Sequence, residues 1–238
     1  MIKPYELIKK NIRIKLLGDS ITHGVGGSGF EQNGDPITEG FARNPKGYCW
    51  AKRFKEYMEE NYGCTVINNG CTGTRIEFII KNFDALVDPE DDLIICTIGT
   101  NNRHVYFREG EKPTREEFGT CFFENIKTLY GLFEKADKKV IFMANIPASS
   151  ANEQDGAEFW RILHMDDINA IYKAASEKLG FPLISMYELF SAYCDKNGIA
   201  VDSLLSDGLH PNDRGYDVMF DLLTAELRVK LPDLFLRS

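Results

Sequence analysis

Two short runs constrain the fold of this chain most: Asp92–Ile98 (DLIICTI) and Lys139–Asn145 (KVIFMAN). Each is nearly all apolar, with no alternation of polar residues. A strand that reads this way must be covered on both faces, as happens in parallel sheets flanked by helices. The surrounding sequence supplies the helices. Apolar residues at Trp50, Ala51, Phe54, Tyr57 and Met58 predict a helix over Tyr48–Tyr62, stopped by Gly63. Arg75–Leu86, Met165–Leu179, Tyr187–Lys196 and Asp213–Lys230 read as further helices. The longest is Thr114–Ala136, where Thr114 and Glu117 form a capping box. Strands are expected at Ile12–Leu17, at Cys64–Ile67 before the turn Asn68-Asn69-Gly70, and at Pro182–Ser185. About five strands alternating with helices make a doubly wound parallel α/β sheet, and right-handed crossovers leave few topologies for it. The 238 residues suit one domain, 1–238. Two stretches, 22–47 and 147–164, are too long to be simple connections and are expected near the site.

Composition excludes several classes of protein. A net charge of −8 lacks the basic footprint that nucleic acid requires. No run approaches the length of a membrane span, and the residues 1–13 have no apolar core of a signal peptide. The six cysteines include no CxxC pair, so no zinc ribbon is expected, and they read as reduced and mostly buried. A cytoplasmic protein with neither nucleic-acid nor membrane partners is the expectation; oligomeric state is not legible.

In open α/β sheets ligands bind beyond the carboxyl ends of the strands. After the first strand comes Gly18-Asp19-Ser20-Ile21; after the second, Asn68-Asn69-Gly70-Cys71-Thr72-Gly73-Thr74; after the third, Gly99-Thr100-Asn101-Asn102. Asp207-Gly208-Leu209-His210-Pro211 precedes the last helix. Together these segments offer a hydroxyl, backbone N–H groups, an amide, an imidazole and a carboxylate, which are the parts acyl transfer needs. A serine hydroxyl becomes nucleophilic when a base takes its proton, and histidine can do so near neutral pH. Asp207 lies three residues before His210, close enough for one turn to place the carboxylate beside the ring.

The four segments, in this order, resemble the blocks of the SGNH hydrolases, also called GDSL-type esterases and lipases. The resemblance implies a three-layer α/β/α, flavodoxin-like fold and a serine esterase that needs no cofactor and no metal. It implies Ser20 as nucleophile and first oxyanion donor, Gly73 as second donor, Asn101 as third, His210 as general base and Asp207 as its orienting carboxylate. Gly70 is the alternative to Gly73, which is preferred on its spacing from Asn68. The first block reads GDSI rather than GDSL, and the third ends in Asn102 where many members carry Asp, so Asn102 inherits no role. The implied substrate is a small carboxylic ester, either a short acyl chain or an O-acetyl group on a carbohydrate.

Two rivals use the same residues. A metal-dependent phosphoesterase would take Asp19, Asn101, Asp207 and His210 as ligands, leaving Ser20 and Gly73 idle. A glycan-binding module on the same fold would need a geometric defect in the site. His23 and His104 lie close to the blocks and are expected to be solvated loop residues, with lining of the pocket as the alternative, and His164 is expected to be structural. The aromatics of Phe41–Trp50, Tyr106-Phe107 and Phe159-Trp160 could line a pocket or simply pack the long loops. The charged run Glu109–Lys112 is expected to be solvated.

Overall fold

Five parallel strands form the central sheet: β1 (Arg13–Gly18), β2 (Thr65–Gly70), β3 (Leu93–Thr97), β4 (Lys139–Ala144) and β5 (Leu183–Ser185), in the order β2-β1-β3-β4-β5. The computed structural model describes residues 11–31, 35–38, 41–106 and 111–236. Strand residues alternate between two cores. Ile14, Leu16, Ile95, Ile141 and Met143 enter one, against α2 (Trp50–Tyr62), α6 (Met186–Asn197) and α7 (Asp213–Lys230). Leu17, Ile94, Cys96, Val140 and Phe142 enter the other, against α3 (Ile76–Lys81), α4 (Arg115–Lys135) and α5 (Met165–Leu179). The result is the three-layer, flavodoxin-like architecture implied by the family resemblance.

This strand order puts a topological switch point beside β1, where a crevice opens at the carboxyl ends. The register makes the crevice concrete: Gly18 at the end of β1 pairs with Gly70 on one side and Thr97 on the other. The first three sequence blocks therefore leave the sheet side by side. Gly18 is required by close packing, because a Cβ there would stand 2.2 Å from Thr22 Oγ1 and 2.6 Å from Thr97 O.

Several boundaries differ from the sequence expectation. β2 runs through Asn68-Asn69-Gly70 instead of turning there, because all three pair with β1 and are buried. The expected helix Arg75–Leu86 breaks at Asn82 into α3 and a short helix, Phe83–Leu86. α2 begins at Trp50 behind an extended Cys49 cap, not at Tyr48. The capping box of Thr114 and Glu117 forms as expected. The stretch 22–47 holds a hairpin, Asp35–Thr38 with Phe41–Arg43. The stretch 147–164 contributes Phe159–Arg161, which pairs antiparallel with His104–Tyr106. Five of the six cysteines are buried and Cys121 is exposed. Of the expected charged run, Glu109 and Gly110 lie outside the described residues, as does Phe107; Lys112 pairs with Asp155 at 3.1 Å. Trp50 is a core residue, not a pocket aromatic. Among the described residues no helix is long and apolar enough to cross a membrane.

Candidate active site

Ser20 opens a single-turn helix, α1 (Ser20–His23), straight after β1. Asp19 caps it: Oδ1 accepts the Ile21 N–H at 3.0 Å, and the Gly24 N–H closes on Ser20 O. This tight strand-to-helix turn fixes the Ser20 backbone and places the residue near the positive end of the short helix. Asp19 is fully buried. Its other oxygen accepts from Asn145 Nδ2 at 3.0 Å, and that amide nitrogen also donates to Thr100 Oγ1 at 2.5 Å. Burial pushes the Asp19 carboxyl up, against the hydrogen bonds from Thr100, Ile21 and Asn145 and the nearby His210. Asn145, at the carboxyl end of β4, thus ties the first block to the third. The sequence reading missed it, although a polar residue ending an otherwise apolar strand was the available signal.

His210 arrives from the segment before α7. Its Nε2 accepts from Ser20 Oγ at 2.8 Å, and its Nδ1 donates to Asp207 Oδ2 at 2.7 Å. Asp207 Oδ1 accepts the backbone N–H groups of Leu209 at 3.0 Å and His210 at 2.8 Å. Partial burial of Asp207 opposes its charge, but the bonds from the His210 backbone and ring, with that of Leu209, outweigh it and hold the carboxyl below its ordinary range. Ser20 is 3% exposed, and the His210 side chain is 15% exposed. Ser20, His210 and Asp207, 190 residues apart in the chain at their extremes, stand as one hydrogen-bonded line.

The expected oxyanion donors are the N–H groups of Ser20 and Gly73 and the side-chain amide of Asn101. The N–H groups of Ser20 and Gly73 have no acceptor among the described residues. The Gly70 N–H is taken by Asn68 Oδ1 at 2.8 Å, and a Cβ on Gly70 would meet His23 N at 2.4 Å. Gly70 is therefore a packing glycine, whereas Gly73 (φ +78°) has open space around it. Asn101 spends one amide hydrogen on Thr74 O at 3.0 Å and keeps the other. Asn102 acts elsewhere: its Oδ1 accepts from Ile76 N at 3.0 Å and its Nδ2 donates to Glu77 at 2.9 Å, fixing the start of α3.

One wall bridges the acid–base segment and the third block. Ser149 N donates to Gly208 O at 2.8 Å at one end of the 147–164 stretch, and Ile162 N donates to Arg103 O at 2.8 Å at the other. Arg103, 1% exposed, holds the middle through Glu153 at 2.8 Å and Asn152 at 2.9 Å. Burial lowers its pKa to about 10, against the attraction of Glu153.

The expectations for His23 and His104 need correction, whereas His164 is structural as expected. His23 is 3% exposed, not solvated, because α1 folds it under the second block. His104 is half-buried between Tyr106 and Phe159; burial and the charges of Arg75, Arg161 and Arg103 push it down to about 4. His164 caps α5, its N–H donating to Asp167 at 2.8 Å. The residues proposed as metal ligands do not gather: Asp19 is turned to Ile21 and Asn145. Among the described residues the metal-ligating side chains that do gather are His164, Asp166 and Asp167, at the start of α5.

Solved structures share this architecture. The acetylxylan esterase Axe2 of Geobacillus stearothermophilus superposes with a TM-score of 0.65 at 17% identity, over 92% of this chain and 95% of that one. A catalytic mutant of the same enzyme gives 0.66 at 18%, over 92% and 95%. A GDSL-lipase-like protein from Parabacteroides merdae gives 0.64 at 16%, over 92% and 96%. Catalytic mutants of Axe2 replace by alanine a serine, an aspartate, and a histidine three residues beyond that aspartate. A comparison with curated protein sequences found no match. The model of the GDSL-like lipase/acylhydrolase family matches residues 16–218, from the middle of β1 into α7. The chain belongs to the GDSL-like lipase/acylhydrolase family and is a carboxylic ester hydrolase.

Proposed function

We propose that this protein cleaves short-chain or O-acetyl esters through an acyl-enzyme on Ser20. The observation that carries the assignment is the line from Ser20 Oγ through His210 to Asp207, at 2.8 and 2.7 Å. Ser20 Oγ attacks the ester carbonyl as His210 Nε2 takes its proton. Asp207 keeps the ring in the tautomer that leaves Nε2 free and stabilises the imidazolium that forms. The carbonyl oxygen becomes an oxyanion held by the N–H groups of Ser20 and Gly73 and by Asn101 Nδ2. Collapse expels the alcohol, which receives the proton from His210. Water then repeats the sequence and releases the acid.

A short acyl group is supported by the polar character of the 147–164 stretch, which is bonded to Gly208 at one end and to Arg103 at the other. There Arg103 bonds to Glu153 and Asn152, and Ser149 N donates to Gly208 O, whereas each buried CH₂ of a long chain gains about 0.8 kcal/mol only against apolar surface. A carbohydrate alcohol is supported by the acetylxylan esterase among the structural neighbours. The chain acts as one domain in a reducing, cytoplasmic setting, a reading that the free thiols of all six cysteines support. A fluorophosphonate should label Ser20 in the presence of EDTA. With p-nitrophenyl esters from C2 to C12 and with acetylated xylo-oligosaccharides, kcat/KM should peak at acetyl to butyryl. Absent labelling defeats the serine mechanism, and a value rising beyond C8 moves the enzyme to long-chain lipids.

A further inference from the structure

His23 closes α1 three residues after Ser20 and takes no part in the line from Ser20 to Asp207. Its Nδ1 lies 3.0 Å from the amide nitrogen of Thr72 and 2.9 Å from Thr72 Oγ1. An amide N–H can only donate, so Nδ1 is an unprotonated acceptor and the ring proton sits on Nε2. That Nε2 is buried with no hydrogen-bond partner among the described residues, and the ring meets Phe30 edge-on at 5.0 Å. Burial also lowers the pKa of His23, which favours the neutral ring.

Thr72 is exposed and directly precedes Gly73. The loop is anchored at its base, where Cys71 N donates to Gly18 O at 3.0 Å, and at its exit, where Thr74 O accepts from Asn101. Between these anchors lies Gly73, with φ +78° and nothing within 4 Å of a Cβ. Such a glycine has soft dihedrals, and its N–H direction depends on what holds the residue before it. We propose that His23, as a neutral imidazole, is a positioning residue that fixes Thr72 and so keeps the Gly73 N–H aimed at the oxyanion. The inference rests on the oxyanion role given to Gly73 above.

The test compares wild type with three variants, using kcat and KM for p-nitrophenyl acetate, fluorophosphonate labelling and thermal unfolding. His23→Leu removes the acceptor. His23→Asn puts a carbonyl oxygen close to the place of Nδ1 and can still accept the Thr72 amide. His23→Gln keeps a polar side chain in the buried space but carries its oxygen past that place. Losing an oxyanion donor outright costs about 10²–10³ in kcat. His23→Leu and His23→Gln should lose between about tenfold and that limit, with little change in KM, and His23→Asn should recover most of it. Wild-type kcat in the Leu variant overturns the role, as does an Asn variant no better than Leu. Should the Leu variant fail to fold, the Gln and Asn variants decide by the same criterion. A wild-type enzyme that resists labelling defeats the serine mechanism itself, whereas a labelled, active enzyme indifferent to His23 defeats the positioning role alone.

Discussion

Asp207 holds His210 twice: one carboxylate oxygen accepts the backbone N–H at 2.8 Å and the other meets ring Nδ1 at 2.7 Å. The carboxylate is thus part of the turn that builds the histidine's backbone as well as the group that orients its ring. Asp207→Asn keeps an oxygen for the backbone cap but presents the ring with either the wrong tautomer or no stabilising charge. Turnover should fall by about 10⁴ with the fold intact. Steady-state kinetics beside circular dichroism check this, and an unchanged kcat removes Asp207 from the mechanism.

Ser20→Ala and His210→Ala should each abolish nearly all activity, by about 10⁶ in kcat, as for side chains that act as a unit. The double variant should lose little more than either single one. Two independent, multiplying losses would show that the 2.8 Å contact between them is not the catalytic one.

Asn101→Ala should lower kcat by about 10²–10³ with KM nearly unchanged, the range for one oxyanion donor. A loss confined to KM would instead make Asn101 a ground-state binding residue. Its bond to Thr74 O also disappears in the variant, so thermal unfolding is measured alongside.

The two glycines of the second block should respond differently to alanine. At Gly70 the new Cβ meets the backbone of His23 at 2.4 Å and Thr22 at 2.6 Å, which forces α1 away from β2. At Gly73 it meets nothing, and the cost is that of a left-handed alanine, about 1–2 kcal/mol. Chemical denaturation should rank Gly70→Ala well below Gly73→Ala in stability. Equal losses would contradict the packing role of Gly70.

Acid should weaken the fold through Asp88. Partial burial opposes its charge, yet hydrogen bonds from Lys15 and Arg13 and the charges of Lys15 and Arg43 bring it down to about 2. A carboxylate lowered on folding contributes stability that is fully present above its unfolded pKa and is lost as pH falls through its folded value. Stability should therefore decline from about pH 4 towards about pH 2. Asp88→Asn should be less stable at neutral pH and should flatten that decline, as read by urea unfolding at stepped pH. A decline identical in both proteins would assign the acid sensitivity to other carboxylates.

The sheet was legible because burial on both faces leaves its mark on each strand alone: Leu93–Cys96 is apolar at every position. The candidate site residues were legible because they stand in short local motifs that resemble the family's blocks, as with Asp207 three residues before His210. What depended on residues distant in sequence was not. Asn68-Asn69-Gly70 looks like a turn, and only pairing with β1 makes it strand. Spacing from Asn68 already favoured Gly73 over Gly70; the structure adds that the Gly70 N–H is taken by Asn68 Oδ1 and that α1 packs against Gly70. His23 reads as a solvated histidine until the crossover lays Thr72 across it. Periodicity by itself determined the parallel α/β sheet, and four short motifs determined the candidate chemistry, since both arise from neighbours along the chain. The tertiary structure decided which polar atoms are consumed and which stay free, since each hydrogen bond needs a partner that folding alone brings near.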